Sequence, residues 1–174
     1  YTPAPGMMEL REAVCEKLKR DNQLNYNVNN VIVSCGGKHS LYNACQALFE
    51  KNDEVIIFTP YWVSFPDFIS VTGATPVVVN TKPKQQYEPD FNDLNNKITK
   101  NTKGIIINSP SNPTGGVWTD SAMIKIIEIA ESNNLWLFSD ECYEQLVYDT
   151  VFKSCATFSD YDKIVTFQSC SKTY

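Results

Sequence analysis

The chain has 174 residues, 43% of them hydrophobic and 20% charged, with a formal net charge of −5. That length carries one domain with a real hydrophobic core, and the balance is that of an ordinary globular protein. The charge is spread along the chain without a basic patch, which argues against nucleic acid; no apolar run nears the roughly 18 residues of a membrane span, and we expect no secretory signal peptide.

Helix-like and strand-like segments alternate. Pro5-Gly6 precedes a helical pattern over 7–20, where Leu10, Val14 and Leu18 share a face. The β-branched run at 31–34 reads as a short strand ending at Gly36-Gly37, and 38–50 as the next helix. Glu54–Phe58 is an apolar strand closed by Thr59-Pro60; 64–71 is a helix stopping at Gly73, and Thr75–Val79 another strand. Residues 81–88 are polar and form a loop, and Asp90 caps a helix running to Ile98. Residues 104–108 hold three isoleucines and read as a strand, 119–133 as a helix, and 135–138 as a strand leading into Ser139-Asp140-Glu141. Ile164–Phe167 is the last strand, followed by Gln168 to Lys172.

Repeated strand–helix units with apolar, non-alternating strands predict an α/β fold, a three-layer α/β/α sandwich around a mostly parallel sheet. Residues 1–174 show no linker, no internal repeat and no low-complexity tract. The chain begins at Tyr1 and stops two residues after Lys172, so it reads as part of a large domain, cut at both ends. The six cysteines form no C-x-x-C pair and there is one histidine, so we expect reduced thiols and no metal site.

In a sheet of this kind, ligands gather beyond the carboxyl ends of the strands. Gly36-Gly37, Trp62, Asn112, Asp140, Tyr143, Ser169 and Lys172 all follow strand-like segments. A lysine beside a buried strand end can act as a nucleophile toward carbonyls. Asp140 supplies a carboxylate and Trp62 a flat apolar face. Glycines opening a helix expose backbone N–H groups at its positive end, where a phosphate binds. Amine, acid, aromatic plate and phosphate cradle together suit a phosphorylated pyridine aldehyde.

The ordered motifs make this specific. Tyr1-Thr2-Pro3 with Gly6 and Glu9-Leu10-Arg11, then Gly36-Gly37-Lys38, then Pro60-Tyr61-Trp62-Val63-Ser64, then Asn108 through Gly115, then Ser139-Asp140-Glu141-Cys142-Tyr143, and finally Ser169-Cys170-Ser171-Lys172 resemble the motifs of fold-type-I, pyridoxal-phosphate-dependent aminotransferases. The order is the family's and the set spans the chain, most like the aspartate aminotransferase branch. The resemblance implies that Lys172 holds pyridoxal 5'-phosphate as a Schiff base and carries the catalytic proton. It implies that Asp140 pairs with the pyridine nitrogen, that Tyr143 and Asn112 bind the ring oxygen, and that Trp62 stacks on the ring. Gly37 and Lys38, through backbone amides, and Ser169 would hold the phosphate. Trp62 and Asn112 would also meet the substrate, and Tyr1 would reach the cofactor of a neighbouring subunit in a homodimer with shared active sites.

Taken singly, each residue has a plainer reading. Lys172 would be an exposed lysine, Asp140 a helix cap, Trp62 or Tyr143 packing, and Asn112-Pro113-Thr114-Gly115 a turn. The ordered set outweighs these. Cys142 and Cys170 flank site residues but read as small thiols, and His39 as structural. The implied activity is transfer of an amino group from aspartate or a related amino acid to 2-oxoglutarate, in the cytoplasm. The alternatives are a C–S lyase or decarboxylase using the same cofactor, since fold does not fix reaction, or a cofactor-sensing regulator domain. A nucleotide-binding domain would need a G-x-G-x-x-G or Walker loop, which is missing. The arginines that bind phosphate and substrate carboxylate in this family would lie past Tyr174, as would part of a small domain, and the segment alone is expected to be inactive.

Overall fold

The computed structural model describes the backbone of residues 1–174 and every side chain except that of Thr173. The elements are α1 (Met8–Asn22), α2 (Gly37–Leu48), β1 (Glu54–Phe58), α3 (Phe65–Ser70), β2 (Thr75–Val79), α4 (Phe91–Lys97), β3 (Thr102–Asn108), α5 (Asp120–Ser132), β4 (Trp136–Asp140), β5 (Ile164–Phe167) and α6 (Cys170–Thr173). The strands form one sheet in the order β2-β1-β3-β4-β5, and every pairing is parallel.

Apolar residues run without a break along the inner strands because both faces are covered. Ile56, Ile105, Ile107 and Leu137 face one way and pack with Leu94 of α4 and Met123, Ile126 and Ile127 of α5. Their neighbours Val55, Ile57, Ile106 and Phe138 face the other way, against Leu41 and Cys45 of α2 and Phe65, Phe68 and Ile69 of α3. Alternate side chains of one strand therefore feed two separate cores, which is the three-layer α/β/α arrangement. Each fully buried branched side chain contributes about 1.5–3 kcal/mol relative to exposure.

Local chemistry sets the helix ends. Asp90 accepts from the amides of Asn92 at 3.1 Å and Asp93 at 3.2 Å, capping α4. Thr119 accepts from Ala122 N at 3.2 Å and caps α5. Gly36 opens α2 at φ 88°, a left-handed conformation that a side chain would strain.

Three expectations are corrected. Residues 31–34 form no strand; a short 3-10 turn, Val28–Asn30, leads into an extended stretch held by Val33 N donating to Pro5 O at 2.9 Å. The β-branched composition favours a strand, but a strand also needs a ladder partner, and this stretch pairs with none of the five. Gly36-Gly37 thus follows an irregular segment. The strand expected at 135–138 runs on as β4 through Asp140, so that carboxylate sits on the last strand residue rather than in a loop. The stretch ending at Lys172 winds into α6 instead of staying a loop.

Candidate active site

The carboxyl ends of β1, β3, β4 and β5 open into one cleft of about 350 Å³. Gly37 and Lys38 form one wall and Trp62 another. Asn112, Asp140 and Tyr143 also line it, as do Ser169 and Lys172. Eight of the nine residues named from the sequence therefore share one cavity. Tyr1, the ninth, is exposed and lies outside the lining.

Asp140 is buried at the end of β4, 5% exposed. Its Oδ1 accepts from the Cys142 amide at 3.2 Å. Burial raises its pKa above the ordinary carboxylate value, and the bonds from Cys142 oppose the rise. No cation among the described residues pairs with it. A protonated ring nitrogen would supply the missing charge and reverse that shift. Cys142 reports on the two charged groups around it: burial, then the Asp140 charge, push its thiol up, while the Lys172 ammonium pulls it down. Lys172, Asp140 and Cys142 all line the same cleft.

The loop from β3 is tied to β4. Asn108 Nδ2 donates to Asp140 O at 2.9 Å, and Asn108 Oδ1 accepts from Asn112 N at 2.7 Å. Gly115 N closes the turn on Ser111 O at 2.8 Å. That turn aims Asn112 inward, where its Nδ2 donates to Tyr143 Oη at 3.4 Å. Asn112 and Tyr143 thereby present two polar groups side by side.

Across the cleft, α2 begins at Gly37 and directs the positive end of a 12-residue helix into the cavity. A Cβ on Gly37 would lie 3.4 Å from Ser169 Cβ, so the helix end and the root of α6 frame one cradle. Ser169 Oγ lies 3.0 Å from Ser171 Oγ, adding hydroxyls to the amides. Trp62 is braced edge-on by Phe65 and Phe68, with centroids at 5.7 and 5.8 Å. The Lys38 ammonium lies 5.0 Å from the centroid of the Trp62 ring, so its side chain turns toward that plate. The residues present fit a phosphorylated pyridine aldehyde: an amine, a buried acid without a counter-charge, a plate and an anion cradle.

Sequence reasoning missed Asn108 and Gln168, which also line the cleft. Asn108 opens the motif that contains Asn112, and that position was its only signal. Gln168 had none, because its partners lie on distant segments. Glu141, fully buried beside Asp140, was read only as part of a motif. Its Oε1 accepts from Ser139 Oγ at 2.9 Å, Ser154 Oγ at 3.0 Å and Cys155 N at 2.9 Å. Its Oε2 is buried without a hydrogen-bond partner. Burial outweighs those bonds and pushes its pKa up to about 7. Among the described residues no cluster suits a metal ion, and no helix is long and apolar enough to cross a membrane.

The profile of the family Aminotransferase class I and II matches residues 1–174, and the chain belongs to that family. Within it, the chain is 47% identical over 149 residues to the aspartate aminotransferase of Bacillus sp. (strain YM-2), covering 86% of this chain and 38% of that protein. It is 40% identical to the aspartate/prephenate aminotransferase of Cereibacter sphaeroides over 100% of this chain and 44% of the relative. The structure of the aspartate aminotransferase from Thermus thermophilus with maleate superposes with a TM-score of 0.94 at 36% identity, over 98% of this chain and 44% of that one. The chain spans less than half the length of these relatives.

Proposed function

We propose that this chain is the cofactor-binding part of a pyridoxal-phosphate-dependent aminotransferase that moves an amino group from aspartate, or a related amino acid, to 2-oxoglutarate. The observation that carries the reading is the meeting of Lys172, Asp140 and the glycine-headed end of α2 in one cleft. The aspartate and aspartate/prephenate names of the relatives support the donor. A C–S lyase, a decarboxylase and a regulator domain have no observation in their favour.

The cofactor, when bound, supplies an electron-withdrawing ring for charge developing at the substrate Cα. The chain's own residues bind, orient and move the proton. Lys172 Nζ would hold the cofactor at its aldehyde carbon, and as a positioned amine it would move the proton from the substrate Cα to that same cofactor carbon. Asp140 holds a proton on the ring nitrogen, and its burial strengthens that ion pair. Tyr143 Oη and Asn112 Nδ2 donate to the ring oxygen. Trp62 packs on the ring and excludes water from one face. The amides of Gly37 and Lys38 and the hydroxyl of Ser169 receive the phosphate. Tyr1, exposed in this chain, would reach the phosphate of a partner subunit's cofactor in a homodimer with shared active sites. Six free thiols support a reducing, cytoplasmic setting.

The test is to load the full-length protein with pyridoxal phosphate, reduce it with borohydride, and map the adduct by mass spectrometry. An adduct on Lys172, lost in Lys172→Ala, is expected; an adduct on another lysine overturns the assignment. Keto-acid formation from aspartate and 2-oxoglutarate tests the donor, and its absence in a loaded enzyme overturns that part alone.

A further inference from the structure

Beginning at Gln168 on the cleft lining and running away from it, four side chains from three distant segments close a largely buried polar network. Lys17 of α1 pairs with Glu144 Oε1, and their side chains are 14% and 3% exposed. The same ammonium donates to Asn22 Oδ1 at 2.8 Å and to Gln168 Oε1 at 2.9 Å. All three of its protons are thereby used. Glu144 Oε2 accepts from Asn22 Nδ2 at 2.7 Å and from Gln168 Nε2 at 3.1 Å. The Gln168 amide is held at both ends, so it has one orientation.

Such a pair is a poor way to gain stability. Removing two charges from water is opposed by desolvation, and well-packed apolar residues often do as well or better. The network offers direction instead. Glu144 follows Tyr143, and its amide closes the turn on Glu141 O at 3.0 Å. Gln168 follows β5 and precedes Ser169, with Lys172 one helical turn further on. Within the described sheet β5 is an edge strand, paired only with β4, and α6 is four residues long. The ladder therefore supports the root of this segment from one side, and Gln168 ties it down from another.

We propose that the Lys17–Glu144 pair is a positioning device for the cofactor site: through Gln168 it sets the place of Ser169 and Lys172, and through the turn at Glu144 it sets the place of Tyr143. Neither residue touches the cofactor, and both act through neighbours that do. The inference rests on the function proposed above.

The full-length protein is compared with Glu144→Gln, which keeps shape and drops the charge, and with Lys17→Met/Glu144→Leu, which replaces the pair by apolar side chains. Urea midpoints, the dissociation constant of pyridoxal phosphate, and the pH midpoint of the visible absorbance of the lysine-bound cofactor are measured for each. The double variant leaves the Asn22 and Gln168 amides without these partners but leaves no lone buried charge, so its urea midpoint should fall less than that of Glu144→Gln. Its cofactor should nevertheless bind on the order of tenfold more weakly, the scale of coupling within one hydrogen-bonded network. The absorbance midpoint should move in both variants. A merely structural pair predicts otherwise: variants that change the urea midpoint alone, with both cofactor readouts at wild-type values, overturn this inference. Wild-type protein that takes up no pyridoxal phosphate overturns the function reading, and this inference with it.

Discussion

Glu141→Gln isolates the energetic consequence of burying a carboxyl beside Asp140. The side chain is 1% exposed, one oxygen takes three hydrogen bonds and the other takes none. Burial lifts its pKa from the ordinary 4.5 to about 7 in the folded protein. At roughly 1.4 kcal/mol per pH unit, that difference corresponds to about 3 kcal/mol of pH-dependent stability. The sign follows from proton binding. Below about pH 4.5 both states hold the proton and the stability is fully present; as pH rises toward about 7 the unfolded chain releases its proton first, so stability is lost. Glutamine keeps the accepting oxygen and places an uncharged amide where the unpartnered oxygen stands. Its penalty is constant with pH. Urea unfolding of the cofactor-free full-length protein from about pH 5 to about pH 8 should show wild type losing up to about 3 kcal/mol more than the variant. Parallel stability profiles for the two proteins would refute the buried, proton-binding account of Glu141.

Two further outcomes follow from geometry. A Cβ on Gly104 would lie 2.5 Å from Phe49 Cζ, and Phe49 is buried against Phe138 with ring centroids 5.2 Å apart. Gly104→Ala should therefore destabilise the protein by about 1–3 kcal/mol, and Phe49→Leu in the same chain should recover part of that loss in urea unfolding. Asp140→Ala should leave the cofactor attached to Lys172 while lowering kcat on the order of 10²–10³-fold, the effect of losing one preorganised charge partner; steady-state rates on loaded protein read this directly.

Much of the architecture is legible in the chain because it is written locally. The run Val55-Ile56-Ile57 has no polar alternation, and only a strand covered on both faces tolerates that. Asp90 announces α4 through short-range hydrogen bonds, whereas the Thr119 cap of α5 emerged only in the structure. The site was readable for a related reason. A parallel sheet carries every strand to the same edge, so motifs that follow strands must meet there, and Asn112 finds Tyr143 across 31 residues. Residues 31–34 mark where this logic ends: Val31, Ile32 and Val33 have strand propensity, but strand formation depends on a partner that local sequence does not name.

By itself, then, the order of residues determined the layers, the cap of α4 and the identity of the lysine, acid and glycine that line the cleft. Only the tertiary structure decided that Lys17 stands against Glu144, 127 residues away, and that Gln168 bridges them. It also decided that Glu141 is sealed from water. The physical reason is range. Propensity, periodicity and capping act over a few residues, whereas desolvation and ion pairing depend on which surfaces the folded chain brings together.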